Sequence, residues 1–375
     1  MSPKFHPTRL LDYDIRSLDI SHFPTEKIIA VEKADVMGQV PLSIAQKAPV
    51  LSAPKKRKWI GTIIRVLLTI LLFAVLFRSV SWSLLVKSFV QTKHGMLLVS
   101  MIVGFCGIVL SAYQWRSLLN AERITGDLAD LINLYIVGVA FSHFLPTGMG
   151  GDAVKALYVG RESGNSAGST SAVLLCRIIG FFGMLLISLP TLLIWHERLD
   201  TKLVLLFILL AFLVAGMIVG ALLAVIWLPR FVRGHWSKHH LLSSVINVGN
   251  ALSKTMKRPR TLLIAYLYGV VFWLVAVLNC YCYAVALQLD VPLYFYFFVV
   301  PLISLISFLP ISINGFGLRE TAFVYAFSTV HVASAPALLL ALLMDMQALC
   351  LAVVGGSIYL TTGGKIKAAH ERKVA

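Results

Sequence analysis

Six ionisable residues stand in or beside long apolar stretches of this chain: Asp152, Lys155, Arg177, Arg319, Glu320 and Asp345. A charge at hydrocarbon depth is costly, so each needs an explanation. Asp152 and Lys155 are three apart and share one face of a helix. Arg177 and Arg319 carry planar, two-pronged donors that match a phosphate or carboxylate. Asp152 and Glu320 could take a cationic group on the same ligand, or hold the arginines in place. With Asn314 as a further polar contact, these residues form a candidate binding set for a charged headgroup. The competing explanation is internal neutralisation, pairing Asp152 with Lys155 or Arg177, and Glu320 or Asp345 with Arg319. Both readings stay open on the sequence.

The elements that must position these charges are two interrupted helices. Phe144-Leu-Pro-Thr-Gly-Met-Gly-Gly-Asp-Ala-Val-Lys155 breaks an apolar run with Pro146, Gly148, Gly150 and Gly151. Phe308-Leu-Pro-Ile-Ser-Ile-Asn-Gly-Phe-Gly-Leu-Arg-Glu320 repeats the pattern with Pro310, Gly315 and Gly317. Proline removes a backbone donor and clashes with the preceding turn, and glycine accepts angles that other residues avoid. Backbone broken at membrane depth survives only where protein or water covers it. Two such breaks in corresponding places point to a transporter's binding region. Each break also opens a helix whose free amides and partial positive charge suit an anion.

Hydrophobic residues make up 58% of the chain and charged residues 13%. Several apolar runs reach the roughly 20 residues that cross hydrocarbon. This is the composition of a multi-pass membrane protein, not of a soluble enzyme. The net charge of +16 flanks the apolar spans, which fits topology-setting charge and attraction to anionic lipid rather than nucleic acid. Cys106, Cys176, Cys280, Cys282 and Cys350 all lie in apolar runs without metal-like grouping, so buried packing thiols are expected, with no metal and no cofactor.

Residues 1–58 carry ten Lys or Arg, six Asp or Glu and repeated prolines, and read as a mostly disordered cytosolic tail with a short helix near Thr25–Val36. Lys55-Lys-Arg-Lys58 before the first span, about Trp59–Phe77, places the N-terminus inside. Further spans are expected at about His94–Tyr113, Ser171–Trp195, Lys202–Leu228, Thr261–Leu287 and Ala335–Tyr359. Residues 229–260 hold seven Lys or Arg and no acid, with His235, His239 and His240, which marks a cytoplasmic loop. Within it, Leu241–Leu252 suits an amphipathic helix on the membrane surface. Parity of crossings then requires 128–160 to begin and end inside and 293–330 to begin and end outside. The return arm at 147–160, 14 residues long, is too short to cross as a helix, which favours re-entrant hairpins. The expected fold is therefore all-α: six full spans plus two opposed re-entrant hairpins in an inverted repeat. A flippase-like domain fills 59–360 and a basic cytosolic tail 361–375.

On these motifs, together with Ser171-Ala-Val-Leu-Leu-Cys-Arg-Ile-Ile-Gly180 and Gly355-Gly-Ser-Ile-Tyr359, the chain resembles the transmembrane flippase domain of lysylphosphatidylglycerol synthases. The resemblance covers about residues 60–360. It implies membrane segments with re-entrant hairpins and movement of charged phospholipid between leaflets. That family often has an acidic residue where this chain has Cys176 and an arginine near the position of Asp345, which implies a rewired charge pair. No soluble synthase domain follows residue 360, so lysyl transfer by this chain is not expected.

The leading expectation is a non-enzymatic lipid transporter in the cell membrane, both termini cytoplasmic, moving a phosphate-bearing lipid that is aminoacylated or glycosylated in some versions. Expected partners are that phospholipid and an anionic lipid surface, with a separate lipid-modifying synthase and a homo-oligomer as further candidates. No ATPase-type phosphate loop is present in the sequence. The alternatives are an intramembrane enzyme acting on a lipid-linked phosphate or sugar, with Asp152 or Glu320 as base, and a non-transporting scaffold.

Overall fold

A computed structural model describes residues 4–5, scattered positions between 67 and 78, and residues 82–144, 150–231, 240–309, 312 and 315–374; side chains at 4–5, 144, 224–243 and 362–374 lie outside it. The chain divides into two units, one of residues 1–5 with 63–375 and one of 6–62. The second unit, and with it the expected helix near Thr25–Val36, lies outside the described residues. So do Pro146, Gly148, Pro310 and Asn314.

The first unit is built from helices. In chain order they are α1 (Trp82–Val90), α2 (His94–Ala121), α3 (Leu128–Phe144), α4 (Gly150–Glu162), α5 (Ser166–Ile194), α6 (Thr201–Phe231), α7 (His240–Met256), α8 (Pro259–Ala286), α9 (Leu293–Phe308), α10 (Leu318–Ser328) and α11 (Ser334–Val374). A 3-10 turn, His196–Arg198, joins α5 to α6. Residues Lys4–Phe5 (β1) pair in parallel with Thr125–Gly126 (β2). Among the described residues, α2, α5, α6, α8 and α11 each contain a stretch long and apolar enough to cross a membrane. The span expected at 59–77 falls largely outside those residues, although its described positions are helical.

Most helix boundaries follow from local chemistry. α3 and α9 run as read, ending at Phe144 and Phe308 where the Phe-Leu-Pro motifs begin. α5 starts earlier than expected, at Ser166, because the Asn165 side chain accepts from the Gly168 amide at 2.9 Å and caps the helix. α2 runs past Tyr113 to Ala121, since Trp115, Leu118 and Leu119 are buried and continue the packed face. α5 and α9 pass through Pro190 and Pro301 without ending, which neighbouring helices at membrane depth permit. α7 covers the segment read as a helix at Leu241–Leu252 and extends it to Met256. Leu252 and Thr255 are buried, whereas Asn250 and Lys254 face out.

The helices approach through small residues and aromatic blocks. Gly183 of α5 lies against the backbone of Gly269 in α8, and Gly107 of α2 faces Phe272. Polar side chains cross between spans: Gln114 Nε2 donates to the Ala265 carbonyl at 3.1 Å, and Trp273 Nε1 donates to the Gly180 carbonyl at 2.7 Å. A second polar tie joins α8, α11 and α2, where Asn279 Nδ2 donates to Gln347 Oε1 at 2.9 Å and Gln347 Nε2 donates to the Ser100 carbonyl at 3.1 Å. Leu205, Leu209, Phe212, Leu263 and Leu267 point outward, as apolar side chains facing lipid must. The thiol expectation needs correcting in the same terms. Cys280 and Cys282 are buried and Cys176 is partly so, but Cys106 and Cys350 are exposed on outward apolar faces beside Phe105 and Leu349.

Candidate functional site

Each interrupted helix forms a helix–break–helix unit, α3–α4 and α9–α10, and the two are held together by different means. In the first, Gly151 lies so close to α3 that a Cβ there would run into the Gly138 carbonyl and Ser142 Oγ. The Gly151 amide donates to Ser142 Oγ at 3.2 Å, which satisfies one of the donors at the start of α4. In the second, rings do the holding: Phe295 meets Phe327 edge-on at 5.3 Å, and Tyr296 meets Phe327 at 5.9 Å. Gly315 and Gly317 both take φ of 81° in the second break, a left-handed conformation that favours glycine.

The first charge cluster sits at the start of α4. Asp152 accepts from Lys155 Nζ at 2.9 Å and from Arg177 Nε of α5 at 2.5 Å. The Lys155 side chain is only 9% exposed. Its ammonium lies 3.8 Å from the centre of the Tyr135 ring and 5.6 Å from that of Trp115, so aromatic faces replace much of the water it has lost. Arg177 differs: its side chain is 50% exposed, and among the described residues only Nε is engaged in a hydrogen bond. One acid is thus shared by two cations. Its partner lysine is enclosed, and the arginine keeps its outer donors toward open space.

The second cluster has the opposite balance. Arg319 Nη2 pairs with Asp345 Oδ1 of α11, and Arg319 Nε lies 4.0 Å from Glu320 Oε1. Glu320 is fully buried. Its Oε2 accepts from the Gly317 amide at 2.5 Å, the glutamate half of a capping box, at the start of α10. The amide at Gly317 is therefore taken by the chain itself rather than left for an anion. Here two acids share one cation.

The two units meet at their breaks. The Arg177 guanidinium carbon lies 5.9 Å from the ring of Phe308, the last residue of α9. His143, in the last turn of α3, packs its ring against Phe316 at 6.1 Å. α11 reaches both units: Asp345 meets Arg319, Gly355 lies against the Ile136 backbone, and Tyr359 meets Phe141 edge-on at 5.1 Å.

Of the residues singled out in the sequence, Asp152, Lys155 and Arg177 come together in one cluster, and Arg319, Glu320 and Asp345 in another. Both internal pairings weighed on the sequence are present. Tyr135, Trp115 and His143 were not singled out. Tyr135 and Trp115 lie 20 and 40 positions before Lys155, and only packing brings them to its ammonium. His143 carried a weak signal, as the one titratable residue next to the first Phe-Leu-Pro.

Helices with apolar faces turned outward, broken in pairs around buried charge, define a multi-pass helical membrane protein. The chain matches the lysylphosphatidylglycerol synthase TM region over residues 62–356 and belongs to that family. No curated protein and no solved structure matches it. Membership ties the chain to the handling of lipid in membranes.

Proposed function

We propose that this protein moves a phosphate-bearing lipid between membrane leaflets, with the headgroup entering where the two breaks meet. The observation that carries this reading is Arg177. It stands at the junction of the two units, anchored by one nitrogen to Asp152, with the rest of its fork half exposed. A guanidinium in that state is pre-aimed and has donors to spare for a phosphate. Lys155 is too enclosed to touch a ligand directly. It shares Asp152 with Arg177 and so keeps the acid from neutralising the arginine alone.

The short return arms support a hairpin arrangement. α4 has 13 residues and α10 has 11, so each is about 20 Å long or less, against about 30 Å of hydrocarbon. Each unit then returns to the side it entered from, 128–160 from the cytoplasm and 293–330 from outside, with both termini inside. Loosening one hairpin would open the junction to one leaflet only, which is the essence of alternating access. The chemistry is transport, not bond cleavage: the carboxylates here are committed to cations or a helix cap rather than poised as bases.

The test is a leaflet-sidedness assay of labelled phosphatidylglycerol in proteoliposomes. Wild-type protein should accelerate exchange between leaflets, and Arg177→Ala should reduce that rate at least about tenfold, the loss of a charge-assisted contact. Exchange at the protein-free rate with wild type would contradict the reading.

A further inference from the structure

The two charge clusters are not equivalent. The first has two cations to one acid, the second two acids to one cation. In the second, Arg319 pairs with Asp345 and lies within ion-pair distance of Glu320, so the centre as a whole carries one acid more than it has cations. Glu320 has no exposed surface, and among the described residues neither its Oε1 nor either oxygen of Asp345 has a hydrogen-bond partner. The capping box accounts for Oε2 and leaves Oε1 unexplained. The break that leads into this helix holds a further buried oxygen, Ser312 Oγ, without a hydrogen-bond partner among the described residues. Among the described residues, the ionisable groups about this centre are Arg319 on Glu320's own helix and Asp345 from α11; the buried Cys280 thiol of α8 belongs to the same packed core, and Tyr296 of α9 packs on α10 through Phe327. Apart from Arg319 none of these is a cation, and Arg319 is already shared.

A buried carboxylate oxygen that shares one cation with a second acid and accepts no hydrogen bond is unfavourable until a further positive charge joins it. We propose that the Arg319–Glu320–Asp345 centre binds one positive charge, a proton or an alkali cation, at Oε1 of Glu320. Filling and emptying this position would change the charge at the start of α10. That gives the second hairpin two electrostatic states and a means of drawing on an ion gradient. The site is additional to the lipid reading and can be tested without any lipid being moved.

Glutamine keeps the capping acceptor while removing the charge, so Glu320→Gln separates the two roles of this side chain. The full chain, purified in neutral detergent, is melted in sodium, potassium or N-methylglucamine chloride at constant ionic strength, and between about pH 8 and about pH 6. Wild-type protein should gain about 3 °C or more in its midpoint as the position fills, while Glu320→Gln is insensitive. A response to sodium or potassium at constant pH identifies an alkali cation, and a response to acid alone identifies a proton. Equal responses in wild type and Glu320→Gln, or no response in either, would overturn the proposal. Should Glu320→Gln fail to fold, Asp345→Asn serves instead. It frees Arg319 to neutralise Glu320, so the wild-type response should again be lost; its persistence would also overturn the proposal.

Discussion

Asp152, Lys155 and Arg177 make one ion-pair group, yet the three side chains have different surroundings and should fail differently. Lys155 is enclosed by Asp152, Tyr135 and Trp115. Asp152→Ala would leave a buried ammonium without its counter-charge, which costs about 3–5 kcal/mol. We expect this variant to melt well below wild type and to accumulate poorly. Arg177→Ala removes a half-exposed side chain whose loss is softened by solvent, so its midpoint should stay near wild type while lipid exchange falls. Thermal melting of the two variants side by side checks this; equal destabilisation would make Arg177 a structural residue. The sequence showed which charges stand in apolar surroundings, because charge is conspicuous in an apolar background. It did not show which arginine is free. Both arginines stand in apolar surroundings in the sequence, but Arg319 is drawn into a pair by Asp345, 26 residues further on and one helix away.

At the scale of elements, the breaks were legible and their fastenings were not. Phe-Leu-Pro followed by glycines marks the ends of α3 and α9 from residue chemistry alone. Whether Gly151 is needed for flexibility or for closeness depends on its neighbour Gly138, which the sequence does not announce. The structure makes it a contact residue. Gly151→Leu should separate α3 from α4 and abolish lipid exchange, whereas Gly216→Leu, on an open face of α6, should leave exchange intact. Matched surface-expression and exchange measurements decide the point, and normal exchange in Gly151→Leu would remove the glycine contact from the account. The thiols teach a similar lesson. Apolar surroundings in sequence cannot separate a core position such as Cys280 from a lipid-facing one such as Cys350, because both satisfy the same hydropathy. Orientation belongs to this scale too. Single cysteines introduced near Gly164 and Lys238 should react with an impermeant reagent from the cytoplasm, and one near Asp290 from outside. Reaction near Gly164 from outside would overturn the opposed hairpins.

For the whole molecule, the architecture turns two separate breaks into one junction. α5 carries Arg177 past the end of α9, and α11 touches both units, so neither break is independent of the other. Helix content and apolar spans could be read from composition and run length, but the meeting of residues 143 and 316 could not. Nothing local encodes a contact across more than 170 positions. The account's central claim is that this meeting place is where a headgroup passes. It is tested most directly by labelled phosphatidylglycerol exchange in proteoliposomes carrying His143→Cys and Phe316→Cys, whose native rings pack at 6.1 Å. Oxidative cross-linking of that pair should reduce exchange to the protein-free rate, and reduction of the disulfide should restore it. Undiminished exchange through the cross-linked protein would contradict the claim.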